Sequence, residues 1–181
     1  RFHFSDLQKR EEPRPRESVL IPLHSESFFS VVSDPEIPRA SVTFMSKMHE
    51  PASVSHDEYL RTVAQEIALR GINERLERIA QQPKAPFLGA HAGNQQLNDS
   101  AAADILSAAI PGNDFETCVR SLVSELQRAK LFGLTQSELD RSKRRYIASM
   151  DAAYEERETM PSSSLAQELV RAFTLGECVP G

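Results

Sequence analysis

The chain has 181 residues, of which 40% are hydrophobic and 26% are charged, a composition typical of one globular domain with a buried core. No stretch approaches the roughly 18 consecutive apolar residues of a membrane-spanning helix, so we expect a soluble protein. The formal net charge of −5 disfavours nonspecific binding of nucleic acid by the domain as a whole. Two cysteines, Cys118 and Cys178, are too few for a disulfide scaffold and are typical of a reducing compartment.

The first 18 residues are predicted to be a linker with the stub of another element. Residues 8–18 contain two prolines and seven charged residues, and each proline removes a backbone donor and makes the preceding residue extended. Residues 2–7, FHFSDL, are interpreted as the end of an element that lies upstream. We therefore expect a linker and stub over residues 1–18 and a domain over residues 19–181.

Two strands are predicted after the linker. Residues 27–33, SFFSVVS, are rich in aromatic and β-branched residues, which is typical of a buried strand. A turn separates them from residues 40–47, ASVTFMSK, in which Val42 and Phe44 share one face of the second predicted strand.

Residues 49–58, HEPASVSHDE, could hold a metal ion or begin a helix. Ser55 and Glu58 have the spacing of a capping box, in which each side chain accepts a hydrogen bond from the other residue's backbone amide. A zinc-binding helix instead requires an HExxH or HxxEH motif, and no pair among the five histidines has that spacing. The stretch therefore predicts a helix start, and no catalytic or metal-binding residue is assigned to this chain.

Apolar residues at helical spacing predict four amphipathic helices, over residues 55–82, 113–133, 135–161 and 162–176. Asn113 is the predicted cap of the second helix and Gly133 its C-terminal residue, while Thr135 and Glu138 form a second capping box. Cys118 lies in the apolar stripe of the second helix. We interpret it as a small core residue, because no catalytic histidine or asparagine motif accompanies it.

The segment between the first two helices is ambiguous. Residues 86–97, PFLGAHAGNQQL, begin like a strand and are interrupted by glycines. Residues 100–110, SAAADILSAAI, are alanine-rich, so local propensity favours a helix, whereas pairing with residues 86–97 favours a strand. Periodicity alone leaves this choice open.

One long run, EIALRGINERLERIAQQPKAPFLGA at residues 66–90, carries a resemblance to a known family. The motifs around it occur in a matching order: FSVVSDPE and ASVTFMSK before it, and residues 131–158 and 163–181 after it. Together they resemble the second domain of a half-molecule in the insulinase (pitrilysin) family of zinc metallopeptidases. APFLGA and AAYEERE are typical of the bacterial-type and the plant or algal members, which implies a bacterial or an organellar (chloroplast or mitochondrial) protein.

The resemblance implies an α+β fold with an antiparallel sheet and helices packed against it, truncated at both ends and incomplete at its C-terminus. In that fold residues 100–110 are a strand beside residues 86–97. Zinc is implied only in the catalytic domain of the parent protein, where it is held by an HxxEH motif that this chain lacks, so the chain alone is expected to be inactive. The implied role is a non-catalytic domain that forms part of a chamber for unfolded peptides. Its implied partners are those peptides and the catalytic domain of the same protein or of a partner subunit; the alternative is a degenerate stand-alone relative that acts as a protein-binding or assembly module.

Three polar residues are candidates for a substrate or interface site. The small residues of 86–97 allow another backbone to approach closely, and the polar side chains that follow are uncharged. We predict that His91, Asn94 and Gln95 lie near the chamber wall or a domain interface. A polar hairpin loop in solvent is the competing interpretation.

A basic cluster at Arg141, Lys143, Arg144 and Arg145 raises the possibility of nucleic-acid binding. Asp140 stands four residues before Arg144, where a carboxylate can pair with it, and the cluster lacks an aromatic platform for single strands. We therefore expect a solvated helix face, with neither nucleic acid nor a membrane as a partner.

Overall fold

The computed structural model describes residues 19–49, 55–98 and 100–175 of the chain. Within them, three strands form an antiparallel sheet in the order β1-β3-β2, with β1 at Ser41–His49, β2 at Gly89–Gln96 and β3 at Ala101–Ala109. The helices are α1 (His56–Ala80), α2 (Phe115–Phe132), α3 (Gln136–Glu155) and α4 (Ser162–Leu175). The predicted α+β class is confirmed, while the predicted linker at 1–18 lies outside the described residues. None of the helices within the described ranges is long and apolar enough to cross a membrane.

The alanine-rich segment is the central strand of the sheet. β3 pairs with β1 on one side and with β2 on the other, so that Leu106 lies between Phe44 and Ala92. Pairing on both sides satisfies the backbone donors and acceptors of β3. This long-range pairing overrides the helix propensity of alanine, as the family resemblance implied.

The core lies between the sheet and the helices. Even-numbered residues of the strands face the helices: Ala92, Leu106 and Ala108 are buried, and Val42 and Phe44 pack against them. The helices and connecting segments contribute the remaining core side chains: Leu76, Phe87, Ile110, Cys118 and Leu122. Cys118 is fully buried, as predicted, and burial raises the pKa of its thiol, with the nearby Asp114 carboxylate adding to the effect.

The strand predicted at residues 27–33 is not formed. This segment has no regular secondary structure, and Phe29 and Val31 are more than nine-tenths exposed. High β-propensity stabilises a strand only where a neighbouring strand and a packed face accept it. No strand within the described ranges pairs with this segment.

The helix starts agree with the sequence predictions at two of the three predicted caps, and the ends are less well predicted. Ser55 and Thr135 both form complete capping boxes, whereas α2 is capped by Asp114, one residue after the predicted Asn113. Gly133 ends α2 with a positive φ of 62°, a conformation that glycine adopts without strain. α3 ends at Glu155 instead of continuing to residue 161, and a short 3-10 turn at Arg157–Thr159 follows it.

Arg75 of α1 is a buried cation that joins three helices. Its Nε and Nη2 atoms donate to the two carboxylate oxygens of Glu138 in α3, at 2.9 and 2.6 Å. Nη1 donates to Glu125 of α2 at 3.2 Å, and Nη2 also donates to the Gly133 carbonyl at 2.8 Å. The Arg75 side chain is only 4% exposed, so these bonds replace the water that the charge loses on burial.

A glycine allows α1 to approach α3 closely beside this cluster. A Cβ atom at Gly71 would lie 2.5 Å from Cδ1 of Leu134 and 3.2 Å from the hydroxyl of Ser142. Because the first distance is far below van der Waals contact, any larger residue at 71 would force Leu134 to move.

Glu138 makes the stability of the fold dependent on pH. Hydrogen bonds from Arg75 lower its pKa well below the ordinary 4.5, with smaller contributions from Thr135 and Arg78. A carboxylate whose folded pKa is depressed stabilises the protein above its unfolded pKa, and this contribution is lost as pH falls. We predict that Glu138→Gln lowers the free energy of unfolding by roughly 3–5 kcal/mol near neutral pH, and that the difference from wild type shrinks below about pH 4.5.

Urea denaturation as a function of pH measures this difference. Glu116→Gln is the matched control, because Glu116 pairs with Arg120 at the surface, where both side chains are at least three-quarters exposed. We expect the control to change stability by less than about 1 kcal/mol. An equal pH slope for wild type and Glu138→Gln would contradict the prediction.

Candidate functional site

A polar cleft lies between α1 and β2. Its volume is about 460 Å³, and it is open to solvent on one side. Three polar residues line it at four-residue intervals, Asn73 and Glu77 of α1 and Gln81, the C-cap of that helix. The opposite wall is the start of β2 with Leu88 and His91. Residues four apart lie on one face of a helix, so this side of α1 presents two amides and a carboxylate to the strand.

One end of the cleft is held by a hydrogen-bonded contact between helix and strand. The Asn73 amide donates to the Ala92 carbonyl at 2.8 Å, and the Ala92 amide donates to the Asn73 Oδ1 atom at 2.7 Å. Nearer the other end of α1, Gln65 donates to Asp104 of β3 at 3.2 Å. These bonds fix the position of α1 relative to the sheet.

The three predicted site residues are brought near one another but not into a single site. His91 belongs to the residues that line the cleft, but by strand alternation its exposed side chain lies on the face of the sheet away from the helices. Its ring lies beside Gly93, where a Cβ atom would be 3.0 Å from the His91 Nε2 atom. Asn94 faces the helices and donates to Asp104 at 3.1 Å. Gln95 is exposed and, by strand alternation, lies on the opposite face of the sheet from Asn94.

The face of the sheet away from the helices carries polar, small and apolar residues. Thr43, Ser107 and His91 form one row across it, and Met45, Ile105 and Gly93 form the next. Residues 19–22 cross one end of this face, where Lys47 donates to the Pro22 carbonyl at 2.8 Å. Two residues that precede β2 lie on opposite sides of it: Phe87 is fully buried and Leu88 is exposed.

Sequence reasoning missed Asn73, Glu77 and Gln81. They belong to a predicted helix whose polar residues read as a solvated surface. The only signal was their four-residue spacing, which is also typical of an ordinary solvent-exposed face.

The basic cluster of α3 is partly neutralised by α1. Arg141 and Arg145 both pair with Glu74, at 3.4 and 2.7 Å. Arg144 donates to the backbone carbonyl of Asp140 at 3.3 Å, so the predicted bond to the Asp140 carboxylate is replaced by a backbone bond.

The described residues do not fit a zinc ion. Among residues 19–49, 55–98 and 100–175, no three His, Cys, Asp or Glu side chains are placed to share a metal. His56 is exposed and lies 3.9 Å from Asp57, and the capping box at Ser55 and Glu58 is complete. The described part of the opening stretch therefore forms a helix start, as predicted.

The chain is similar to part of a zinc protease. It is 25% identical over 179 residues to a zinc protease PQQL-like protein of Arabidopsis thaliana, a match that covers 99% of this chain and 16% of that protein. No model of a protein family matches the chain.

Solved structures give the same relationship at the level of fold. The chain superposes on the periplasmic protease PqqL from Escherichia coli with a TM-score of 0.71, over 78% of this chain and 16% of that one, at 12% identity. The first half of the same protease, solved separately, gives a TM-score of 0.72 at 12% identity, over 78% of this chain and 30% of that one. Together with the sequence match, this confirms the resemblance to the insulinase-type zinc proteases. The chain spans less than a third of each of these proteins.

Ser55 and His56 give a direct test of whether residues 55–58 begin a helix or bind a metal ion. We predict that Ser55→Ala lowers the free energy of unfolding by roughly 1 kcal/mol, because it removes the N-cap, while His56→Ala has almost no effect. Urea denaturation of both variants measures the difference. A larger loss for His56→Ala than for Ser55→Ala would contradict the capping interpretation.

The chain is also predicted to bind no zinc at micromolar affinity and to cleave no peptide, because its sequence lacks both HxxEH and HExxH. Zinc analysis after dialysis, beside a peptidase assay, measures both properties. Stoichiometric zinc that is lost in His49→Ala or His56→Ala would overturn this prediction.

Proposed function

We propose that this chain is a non-catalytic domain of an insulinase-type zinc metalloendopeptidase, in which it forms part of the wall of a peptide-holding chamber. One observation carries the proposal. Almost the whole chain aligns with a segment of a zinc protease, yet its sequence contains no zinc-binding motif. Zinc and the catalytic residues would then be supplied by another domain of the parent protein.

Exposed apolar side chains support packing on another part of such a protein. Residues 28–32 expose four large apolar side chains, and α4 exposes a stripe formed by Leu165, Leu169 and Phe173. Contiguous apolar surface of this kind marks an interaction site in soluble proteins. The partner in this proposal is the catalytic domain of the same protein or of a partner subunit.

The polar cleft and the strand beside it are the proposed contact for an unfolded peptide. His91 and Gln95 are exposed, and the glycines of β2 permit close approach of another backbone. Peptide groups require hydrogen-bonding partners, which the Gln81 amide and the Glu77 carboxylate offer around the cleft.

We expect a bound peptide to slow amide exchange within residues 89–97. Hydrogen exchange of the full-length protein, with and without a non-cleavable peptide, measures this protection. In the same protein, His91→Ala should raise KM by roughly two- to tenfold, which corresponds to the net free energy of one lost hydrogen bond. It should leave kcat unchanged, because in this proposal His91 does not touch the reacting atoms.

His56→Ala is the matched control, since His56 is exposed at the other end of α1; its KM should equal that of wild type. Unchanged exchange throughout residues 89–97 would reduce this segment to a connector. A fall in kcat for His91→Ala would contradict a purely binding role.

The alternative is a degenerate stand-alone relative that acts as a protein-binding or assembly module. The absence of a zinc motif from the sequence is compatible with it. The full-length transcript separates the two: an HxxEH motif encoded upstream favours the chamber domain, and its absence favours the module.

A further inference from the structure

The Asn73 side chain makes the two hydrogen bonds to the outer edge of β2 that a neighbouring strand would make. In an antiparallel pair, alternate residues direct both backbone groups toward the partner strand, and the residues between them direct theirs away. The Leu97 amide donates to the Ala101 carbonyl of β3 at 2.9 Å, which places the odd-numbered residues of β2 in the first set. Ala92 is therefore in the second set, and its outward carbonyl and amide are the two groups that Asn73 bonds, at 2.8 and 2.7 Å.

A carboxamide has the same donor and acceptor as a peptide group, so one asparagine can take the place of one residue of an added strand. We propose that Asn73 is an edge plug, which keeps β2 from pairing with the β2 strand of a second copy of this chain. This proposal does not depend on the function proposed above.

The sequence of β2 lacks the residues that commonly protect an edge strand. Such edges are protected by charged side chains, proline, a bulge, or a covering helix or loop, and here α1 covers the β2 edge through Asn73. The sequence of β2, GAHAGNQQ, has no Asp, Glu, Lys, Arg or proline, and its register with β3 runs without a bulge from Gly89 to Gln96. The other edge strand, β1, contains Lys47.

The edge of β2 is also complementary to itself. If two copies paired antiparallel about Ala92, Ala90 would lie opposite Asn94 of the second copy. Ala92 and the glycines at 89 and 93 have little or no side chain to prevent that approach. Pairing requires the outward groups of Ala92, which Asn73 occupies.

Replacing Asn73 tests the plug. In Asn73→Ala the Ala92 amide should lose roughly tenfold in exchange protection at low protein concentration, the value of one good hydrogen bond. As concentration rises, the outward amides of Ala90, Ala92 and Asn94 should become protected together, and the sedimentation coefficient should rise above that of wild type. The amides of His91 and Gly93, which face β3, should show no such dependence.

Two further variants make the result specific. Gln65→Ala removes another hydrogen bond between α1 and the sheet, the one to the Asp104 side chain, and should behave as wild type. Ala92→Pro in the Asn73→Ala background removes the outward donor at a site where an edge strand tolerates proline, and should abolish the added association. If Asn73→Ala fails to fold, Asn73→Ser, whose side chain is too short to reach Ala92, gives the same comparison.

Concentration-dependent protection at these three amides, suppressed by Ala92→Pro, supports the plug. An Asn73→Ala protein that associates no more than wild type would overturn it. Association that persists in the Asn73→Ala/Ala92→Pro protein would also overturn it, because another surface would then be responsible.

Discussion

The buried guanidinium of Arg75 is the interaction on which the helical layer depends. A charge removed from water must be matched by partners in a fixed geometry, and Arg75 finds them on two other helices, at Glu125 and Glu138, and at the Gly133 carbonyl between those helices. Glu138 also completes the capping box with Thr135. The Glu138 carboxylate thus fixes both the first residue of α3 and the position of α3 against α1. A capping signal in the local sequence is therefore coupled to the packing of the helices.

The same constraint determines which surfaces are left open. Helices α1, α2 and α3 are tied together on one side of a three-stranded sheet, so the strands bury their even-numbered side chains and present the odd-numbered ones on the other face. The described residues leave both outer strands as edges. Because Asn73 bonds the outward groups of Ala92 on the β2 edge, the β1 edge and the cleft beside α1 are the places where another chain, or another part of a longer chain, can add contacts.

Local signals in the sequence predicted local structure well and long-range structure poorly. The capping boxes at Ser55 and Thr135 were predicted because both partners lie within four residues. The strand identity of residues 101–109 depends on pairing on both sides, and only the family resemblance indicated it. The misassigned strand at 27–33 fails for the same reason, since a strand requires a partner. The bonds of Arg75 and of Asn73 join residues 19 to 63 positions apart, beyond the reach of periodicity.

The cleft and the buried charge occupy opposite faces of one helix. Asn73 and Glu77 each stand two residues from Arg75, and two residues turn an α-helix by roughly 200°. Arg75 therefore bonds toward α2 and α3 while Asn73 and Glu77 face β2. The position of a side chain in the cleft depends on the position of α1. The Arg75 bonds fix α1 to α2 and α3 on one face, and the Asn73 bonds fix it to Ala92 of β2 on the other. In this way the charge that the helices bury holds the polar surface of the cleft in place.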